Sequence, residues 1–207
     1  QWIWGDYIFA HAIAEITSPD DEAKNNALLE KLPFTSKRII RKVKSMNYLP
    51  SLCLEGTKKK NSTHSEVLGL LGPAWQENNL QVLKKIQNLI DLRPNNNCYI
   101  ASQQLGGLTH FEEIESSFLH RDALWKPWIN ASWDPIDISG REKSLDWMEE
   151  CWTNLQFICP GIHLAQIHPH LKWHEKELSL AFKDWLPKLQ EIKAINDPRN
   201  LMPPLNS

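Results

Sequence analysis

The chain has 207 residues, 42% of them hydrophobic and 23% charged, with a formal net charge of −2 at pH 7. That length buries one substantial core or two small ones, and the composition is that of a folded globular protein. A charge so near zero supplies no field for a phosphate backbone or an anionic bilayer, which excludes nucleic acid and membrane surfaces as partners, and no stretch approaches the roughly 20 apolar residues of a membrane span.

The opening Gln1-Trp2-Ile3-Trp4 lacks a charged segment followed by an apolar run, so a cytoplasmic location is expected. The chain also starts without methionine or lead-in, and the expectation is that these residues continue a longer protein. Ser18-Pro19-Asp20-Asp21-Glu22 combines a cap residue, proline at the first helical position and acids in the first turn, which predicts a helix to about Lys31, before Pro33. A short helix is expected over Lys37 to Ser45, closed by Asn47-Tyr48-Leu49-Pro50, and Lys58-Lys59-Lys60 reads as a solvated loop tip. From Trp75 to Ile90, Leu83, Ile86 and Ile90 recur at helical spacing, flanked by Val82 and Leu89.

Asn95-Asn96-Asn97 marks a turn, and Cys98 to Leu105 alternates as a strand ending at Gly106-Gly107. Ser117 to Arg121 and Trp125 to Trp133 read as extended, the second with Trp125, Ile129, Ala131 and Trp133 on one face. Pro127 predicts an edge or irregular strand there, because proline cannot donate to a ladder. Ser139-Gly140-Arg141-Glu142 reads as a capping box opening a helix with Leu145, Met148, Trp152 and Leu155 on one stripe. Gly161 to Ile167 is a strand candidate. A helix follows from about His174, with Leu178, Ala181, Phe182 and Trp185 inward, interrupted at Pro187 and resumed through Leu189, Ile192 and Ile195. The tail from Asp197 to Leu205 is non-helical. The fold class expected is α+β, an antiparallel sheet with helices packed on one face, divided into a region over 1–160 and a closing strand, helices and tail over 161–207.

Cys53, Cys98, Cys151 and Cys159 are too scattered for a zinc site or a disulfide framework and read as free, mostly buried thiols. His163, His168, His170 and His174 are close in sequence, but their spacing crosses a strand end, Pro169 and a loop, with only Glu175 and Glu177 as acidic helpers, so no metal is assigned. Most of the ten tryptophans fall at helical spacing or beside cores, where packing accounts for them.

Four stretches, in order, resemble the substrate domain and C-terminal tail of berberine-bridge-enzyme-like FAD-linked oxidases. Val43-Lys44-Ser45-Met46-Asn47-Tyr48-Leu49 is similar to a Val-x-Pro-Met-Pro-Tyr segment. Gln103-Gln104-Leu105-Gly106-Gly107 resembles the strand end that runs along the substrate cavity. Ser117-Phe118-Leu119-His120-Arg121-Asp122-Ala123 through Trp133 resembles the His-Arg turn and the following strand ending in Trp. Leu189 through Leu201, with Asp197-Pro198-Arg199-Asn200, is similar to the closing helix and tail. The flavin-binding domain of that family has no counterpart in the chain.

The resemblance implies hydride transfer from a substrate carbon to FAD, with a side chain taking the hydroxyl proton and a separate flavin-binding domain or chain as partner. His163 and Ala165 stand where the family places a Tyr-x-Asn beside the flavin, which makes His163 the candidate base and the pair the candidate cofactor contacts; a hydrogen-bonded strand histidine with no catalytic duty is the other reading. Gln103, Gln104, Trp128, His120 and Arg121 are the candidate substrate-side residues. Alternation sends Gln103 and Gln104 to opposite faces without saying which meets the cavity. Trp128 replaces a cavity-facing Gln and would narrow or fill that space, and His120 and Arg121 are residue types that satisfy backbone carbonyls where a strand turns. Two functions follow as expectations. One is an FAD-dependent oxidoreductase fragment or subunit acting on a small hydroxylated compound; the other is a non-catalytic remnant kept as a binding or interaction module. A sheet face left bare also implies self-association.

Overall fold

A computed structural model of the chain describes residues 2–6, 8–10, 16–31, 63–74, 78–106 and 119–202. Its contacts divide it into a larger unit, Gln1–His11 with Ser62–Ser207, and a smaller one, Ala12–Asn61. In the smaller unit α1 spans Pro19–Glu30. Ser18 caps it: the hydroxyl accepts from the Asp21 amide at 3.2 Å and donates to the Asp21 carboxylate at 2.9 Å, and Thr17 donates to the same oxygen at 2.6 Å. These hydroxyls, Thr17 first, hold the Asp21 carboxyl below its ordinary range, so it stays negative at the positive end of the helix. The helix expected over 37–45 and the Val43–Leu49 stretch lie outside the described residues, as do Cys53, Gly107, Ser117 and Phe118.

The larger unit is built on a six-stranded antiparallel sheet. In chain order its strands are β1 (Trp2–Trp4), β2 (Ile8–Ala10), β3 (His64–Leu71), β4 (Tyr99–Gln104), β5 (Trp125–Trp133) and β6 (Gly161–Ile162), arranged β2-β1-β4-β5-β3-β6. Its helices are α2 (Asn79–Asp91), α3 (Ile138–Leu155), α4 (His174–Phe182) and α5 (Trp185–Asn196). Alternation sorts β5 into Trp125, Ile129, Ala131 and Trp133 on the face that α2 and α3 cover, and Lys126, Trp128 and Asn130 on the other. Leu145, Met148, Trp152 and Leu155 of α3 meet that covered face with Val82, Ile86, Leu89 and Ile90 of α2. Each such side chain, fully buried, stabilises by roughly 1.5–3 kcal/mol before entropy is charged against it. The α2 stripe runs through residues 82, 86, 89 and 90, so Leu83, expected within it, falls at its margin and is 41% exposed. Trp147 of α3 packs without leaving its indole unpaired, donating to the Leu89 carbonyl at 2.7 Å. Cys98, Cys151 and Cys159 are free and buried.

Five local expectations need correction. β5 is a central strand despite Pro127. Trp125 and Gly72 exchange both backbone bonds at 3.0 Å, so alternation turns the missing donor of residue 127 toward β3. The β3–β5 ladder is unpaired at that step: it runs from His64↔Trp133 to Gly69↔Trp128 and resumes only at Gly72↔Trp125. α3 begins at Ile138, one residue before Ser139, and Asp137 rather than Ser139 caps it, accepting from the Gly140 amide at 2.8 Å. A carboxylate outcompetes a hydroxyl at a positive helix end, and Gly140 leaves the room: a Cβ there would sit 2.4 Å from Asp137 Oδ2. β6 stops at Ile162 and gives way to a 3-10 turn, Leu164–Gln166, and Leu119–Asp122 is coil and turn rather than strand. The break between α4 and α5 falls at Lys183, at φ 44°, so Pro187 sits inside the first turn of α5, where its missing amide costs little.

The tail is held by one carboxylate. Asp197 accepts from the amides of Leu201 at 2.7 Å and Met202 at 3.0 Å and pairs with Lys193 at 2.6 Å, while Asn200 takes φ 50°. The Asp-Pro-x-Asn order therefore encodes a turn folded around its own first side chain. Among the described residues no helix is long and apolar enough to cross a membrane.

Candidate functional site

Strand register lays out the sheet face opposite α2 and α3. Ile3, Ala101, Trp128 and Gly69 form one row across β1, β4, β5 and β3, and Gln103 lies directly across from Lys126 in the next. His163 extends the first row beyond Gly69: its amide donates to the Gly69 carbonyl at 2.9 Å. The register separates the two glutamines. Gln103 shares this face with Lys126 and Trp128, whereas Gln104, opposite Trp125, belongs to the other.

Gly69 is what lets the row close up. A Cβ at this position would lie 2.1 Å from Gln166 Oε1 and 3.0 Å from His163 Cβ, so the bare backbone makes space for the Gln166 side chain beside the imidazole. Lys126 reaches across from β5 and brings its Nζ to 3.5 Å from His163 Nε2 and 5.8 Å from the centre of the Trp128 indole. Burial, and after it the Lys126 ammonium, hold the imidazole below its ordinary range. Gln166 partly opposes that shift but falls short of hydrogen-bond geometry: His163 Nδ1 and Gln166 Oε1 are both buried without a partner. Burial pushes the Lys126 ammonium down too, and raises the Tyr99 phenol on the neighbouring row. The chemistry available is a neutral imidazole able to accept a proton, an ammonium able to hold negative charge, and amides able to orient a polar group.

The remaining sequence-derived candidates sit elsewhere. His120 is buried at the turn before β5, with Nε2 3.2 Å from the Leu180 carbonyl of α4, and Arg121 follows it in the turn, half-buried. Ala165 lies exposed in the 3-10 turn after His163. Gly106, at φ 116°, ends β4 in a conformation glycine alone takes without strain.

The other histidines of the cluster diverge from His163. His168 is buried and both of its nitrogens on the Glu177 side are used: its amide donates to Glu177 Oε2 at 2.8 Å and Nδ1 meets Oε1 at 2.6 Å. Glu66 of β3 pairs with His170 at 2.9 Å and approaches His168 Nε2 at 3.5 Å. This network pins the 163–174 segment to α4 and β3. Among the described residues no group of three or more His, Cys, Asp or Glu is placed to hold a metal ion. A separate open cleft of about 400 Å³, lined by Arg141, Asp146, His170 and Lys172 among others, carries mixed charges that give it no net sign.

Sequence reasoning missed Lys126, Gln166 and Gly69. The first was findable: once Trp125 and Ile129 are assigned to the core, period-two alternation turns Lys126 to the opposite face beside Trp128. The other two depend on β3 and the 3-10 turn meeting across the sheet, a contact without a local signal.

No family model matches the chain, and no curated protein does. Solved structures share its fold. BBE-like 1 of Physcomitrella patens aligns with a TM-score of 0.56 at 15% identity, over 78% of this chain and 33% of that one. Berberine bridge enzyme from Eschscholzia californica aligns at 0.54 and 18% identity, over 72% and 33%. CrmK, a flavoenzyme of the shunt product recycling mechanism in caerulomycin biosynthesis, aligns at 0.52 and 17%, over 67% and 30%. The chain spans about a third of the length of these structures. The resemblance to berberine-bridge-enzyme-like FAD oxidases, carried in the sequence by short stretches, is present in the fold.

Proposed function

We propose that this chain forms the substrate-facing side of an FAD-dependent oxidoreductase acting on a small hydroxylated compound. The observation that carries the reading is the two-faced sheet, with α2 and α3 on one side and Gln103, Lys126, Trp128 and His163 gathered on the other. It is supported by the sharing of this fold with a flavoenzyme.

The described residues fit one side of a flat ring system and not the pyrophosphate of FAD. A pyrophosphate is best met by bare amides at a helix start, with cations nearby. Here α1 opens with Asp20, Asp21 and Glu22, α3 is capped by Asp137, α4 carries Glu175 and Glu177 in its first turn, and α5 loses an amide to Pro187, so among the described helices only α2 starts without an acid or a proline. Acids at those ends repel a second anion, so the phosphates are assigned to a partner flavin-binding domain or chain, with His163 and Ala165 meeting the ring. When bound, the flavin supplies the acceptor for a hydride from the substrate carbon. This chain's own part is to position the substrate: Gln103 orients a hydroxyl, Trp128 sets the width of the site, and His163, neutral near pH 7, accepts the hydroxyl proton. His120 and Arg121 are assigned to shaping the turn that leads into β5 beside this site.

One observation favours the second reading, a non-catalytic binding or interaction module. Trp128 lies on the face over the fully buried Ala101, where a cavity needs room. Expression of the complete reading frame that encodes this chain separates the two. The oxidoreductase reading requires a protein, purified alone or with its partner flavin-binding chain, that carries about one yellow flavin and bleaches anaerobically with a hydroxylated substrate; a product free of flavin in both forms would overturn it. Stoichiometric flavin binding by residues 1–207 alone would overturn the assignment of the phosphates to a partner.

A further inference from the structure

Two inward-leaning cations in this fold are matched to carboxylates: Lys193 pairs with Asp197 at 2.6 Å, and Arg93 pairs with Asp6. Lys126 is different. It is half-buried at the centre of the sheet, and its ammonium meets an imidazole nitrogen and an indole but no carboxylate among the described residues. A half-desolvated ammonium without a counter-charge is costly, and a neutral imidazole 3.5 Å away adds no negative charge to offset it. Around it the site is built for a ligand. His163 Nδ1 and Gln166 Oε1 are shut away from solvent, which leaves Nε2 as the imidazole nitrogen facing Lys126, while Gln103 lies across the β4–β5 ladder and Trp128 with Ala101 and Ile3 makes an apolar row alongside.

We propose that Lys126 holds the carboxylate of a small-molecule ligand beside His163, with the ligand's flat, apolar body lying along Trp128. A single ammonium balances a monoanion; a phosphate dianion would leave charge over beside an indole, where only apolar surface receives it. The inference rests on the substrate-side reading and narrows it: the hydroxylated compound carries an acid group. It also removes a difficulty in that reading. Burial and, after it, the Lys126 ammonium work against protonation of His163, which makes the imidazole a weaker base while the site is empty. A carboxylate paired with the ammonium offsets its charge and removes that part of the shift once substrate is seated, leaving Nε2 to accept the hydroxyl proton.

The test needs no flavin, so it fails or succeeds independently of the oxidoreductase assignment. The 207-residue chain is titrated calorimetrically with 1-naphthoate, with 1-naphthalenemethanol as the neutral analogue, and with inorganic phosphate. Naphthoate is expected to bind at least about tenfold more tightly than the alcohol, and phosphate not to compete with it. Lys126→Met abolishes the preference for the acid, and Lys126→Arg retains it. Equal affinities for acid and alcohol in the wild type, preserved discrimination in Lys126→Met, or displacement of naphthoate by equimolar phosphate would each overturn the proposal. Should Lys126→Met fail to fold by thermal denaturation, the wild-type comparison and Lys126→Arg decide the matter between them.

Discussion

Gly161 and the imidazole of His120 occupy adjoining space so closely that a Cβ at 161 would lie 2.7 Å from three ring atoms. The ring is buried and anchored to the Leu180 carbonyl at 3.2 Å, so it has no free direction in which to retreat. Gly161→Ala is expected to cost about 1–3 kcal/mol through this overpacking, measured by urea unfolding. A cost under ~0.5 kcal/mol would show that the ring can move. Gly69→Ala is the contrasting case: its main obstacle is the mobile end of Gln166, so its cost is expected to be smaller.

Glu177 is fully buried and accepts from the His168 amide at 2.8 Å, with His168 Nδ1 at 2.6 Å. Removing one partner of a buried pair strands the other, which sets the scale for Glu177→Ala at roughly 3–5 kcal/mol. Chemical denaturation of the variant checks this, and a loss within ~1 kcal/mol would mean that water or a rearranged Glu66 satisfies His168 instead.

His163 is held low by burial first and Lys126 second. Its folded value lies below its unfolded one of about 6.5, so the unfolded chain takes up the proton first as pH falls. The stability this group contributes is therefore complete above about pH 6.5 and is lost as pH drops through the lowered folded value. In Lys126→Met the imidazole should titrate higher than in the wild type while staying below 6.5, followed by ring-proton chemical shifts. An unmoved titration would show that Lys126 is too well solvated to be felt. In the flavin-bearing full-length protein, His163→Ala is expected to slow flavin reduction by substrate at least ~100-fold.

The Asp197 carboxyl is held down chiefly by Lys193, with the Leu201 and Met202 amides adding to it. A lowered carboxyl contributes its stability above the ordinary range near 4 and loses it as pH falls through the depressed value, so the tail stays docked in mild acid. Asp197→Ala releases the two amides. Trypsin should then cut after Arg199 markedly faster in the variant, read by mass spectrometry on a time course; equal cutting rates would mean that the tail is held by other contacts.

Burial pushes the Cys151 and Cys159 thiols well up, which keeps them protonated and poor nucleophiles in the native state. Native protein at pH 8 is expected to leave both unmodified by iodoacetamide over hours and to expose both within minutes in denaturant. Modification of either in the folded protein at a free thiol's rate would place it nearer solvent than its burial allows.

Much of the fold was legible because it rests on short-range periodicity. The α3 stripe of Leu145, Met148, Trp152 and Leu155, the alternation of β5 and the Ser18-Pro19 start of α1 are each decided by residues within a few turns of one another. What failed was decided by competition or by distant partners. Asp137 displaced Ser139 as a cap because a charge binds a helix start more strongly than a hydroxyl. Pro127 entered a central strand because its neighbour on β3 leaves that step of the ladder unpaired, which β5 alone does not reveal. The site was half visible for the same reason. His163, Gln103 and Trp128 were named as candidates from resemblance or alternation, whereas Gly69 and Gln166 acquire meaning only when β3 and the turn after β6 come together.

The pairing of β1 with β4 carries a kinetic consequence. Trp2 is matched with Ser102, so an interior strand of the sheet finds its neighbour only across a long intervening stretch of sequence. Closing so long a loop spends entropy before any ladder bond repays it, and high contact order of this kind slows the rate-limiting step. The hairpin-free core of β3, β5, α2 and α3 is expected to collapse first, leaving the flank of β4 bare until β1 arrives. During synthesis and refolding that flank is an unpaired strand edge, and crowding at that stage favours wrong pairings between chains over the right one within a chain.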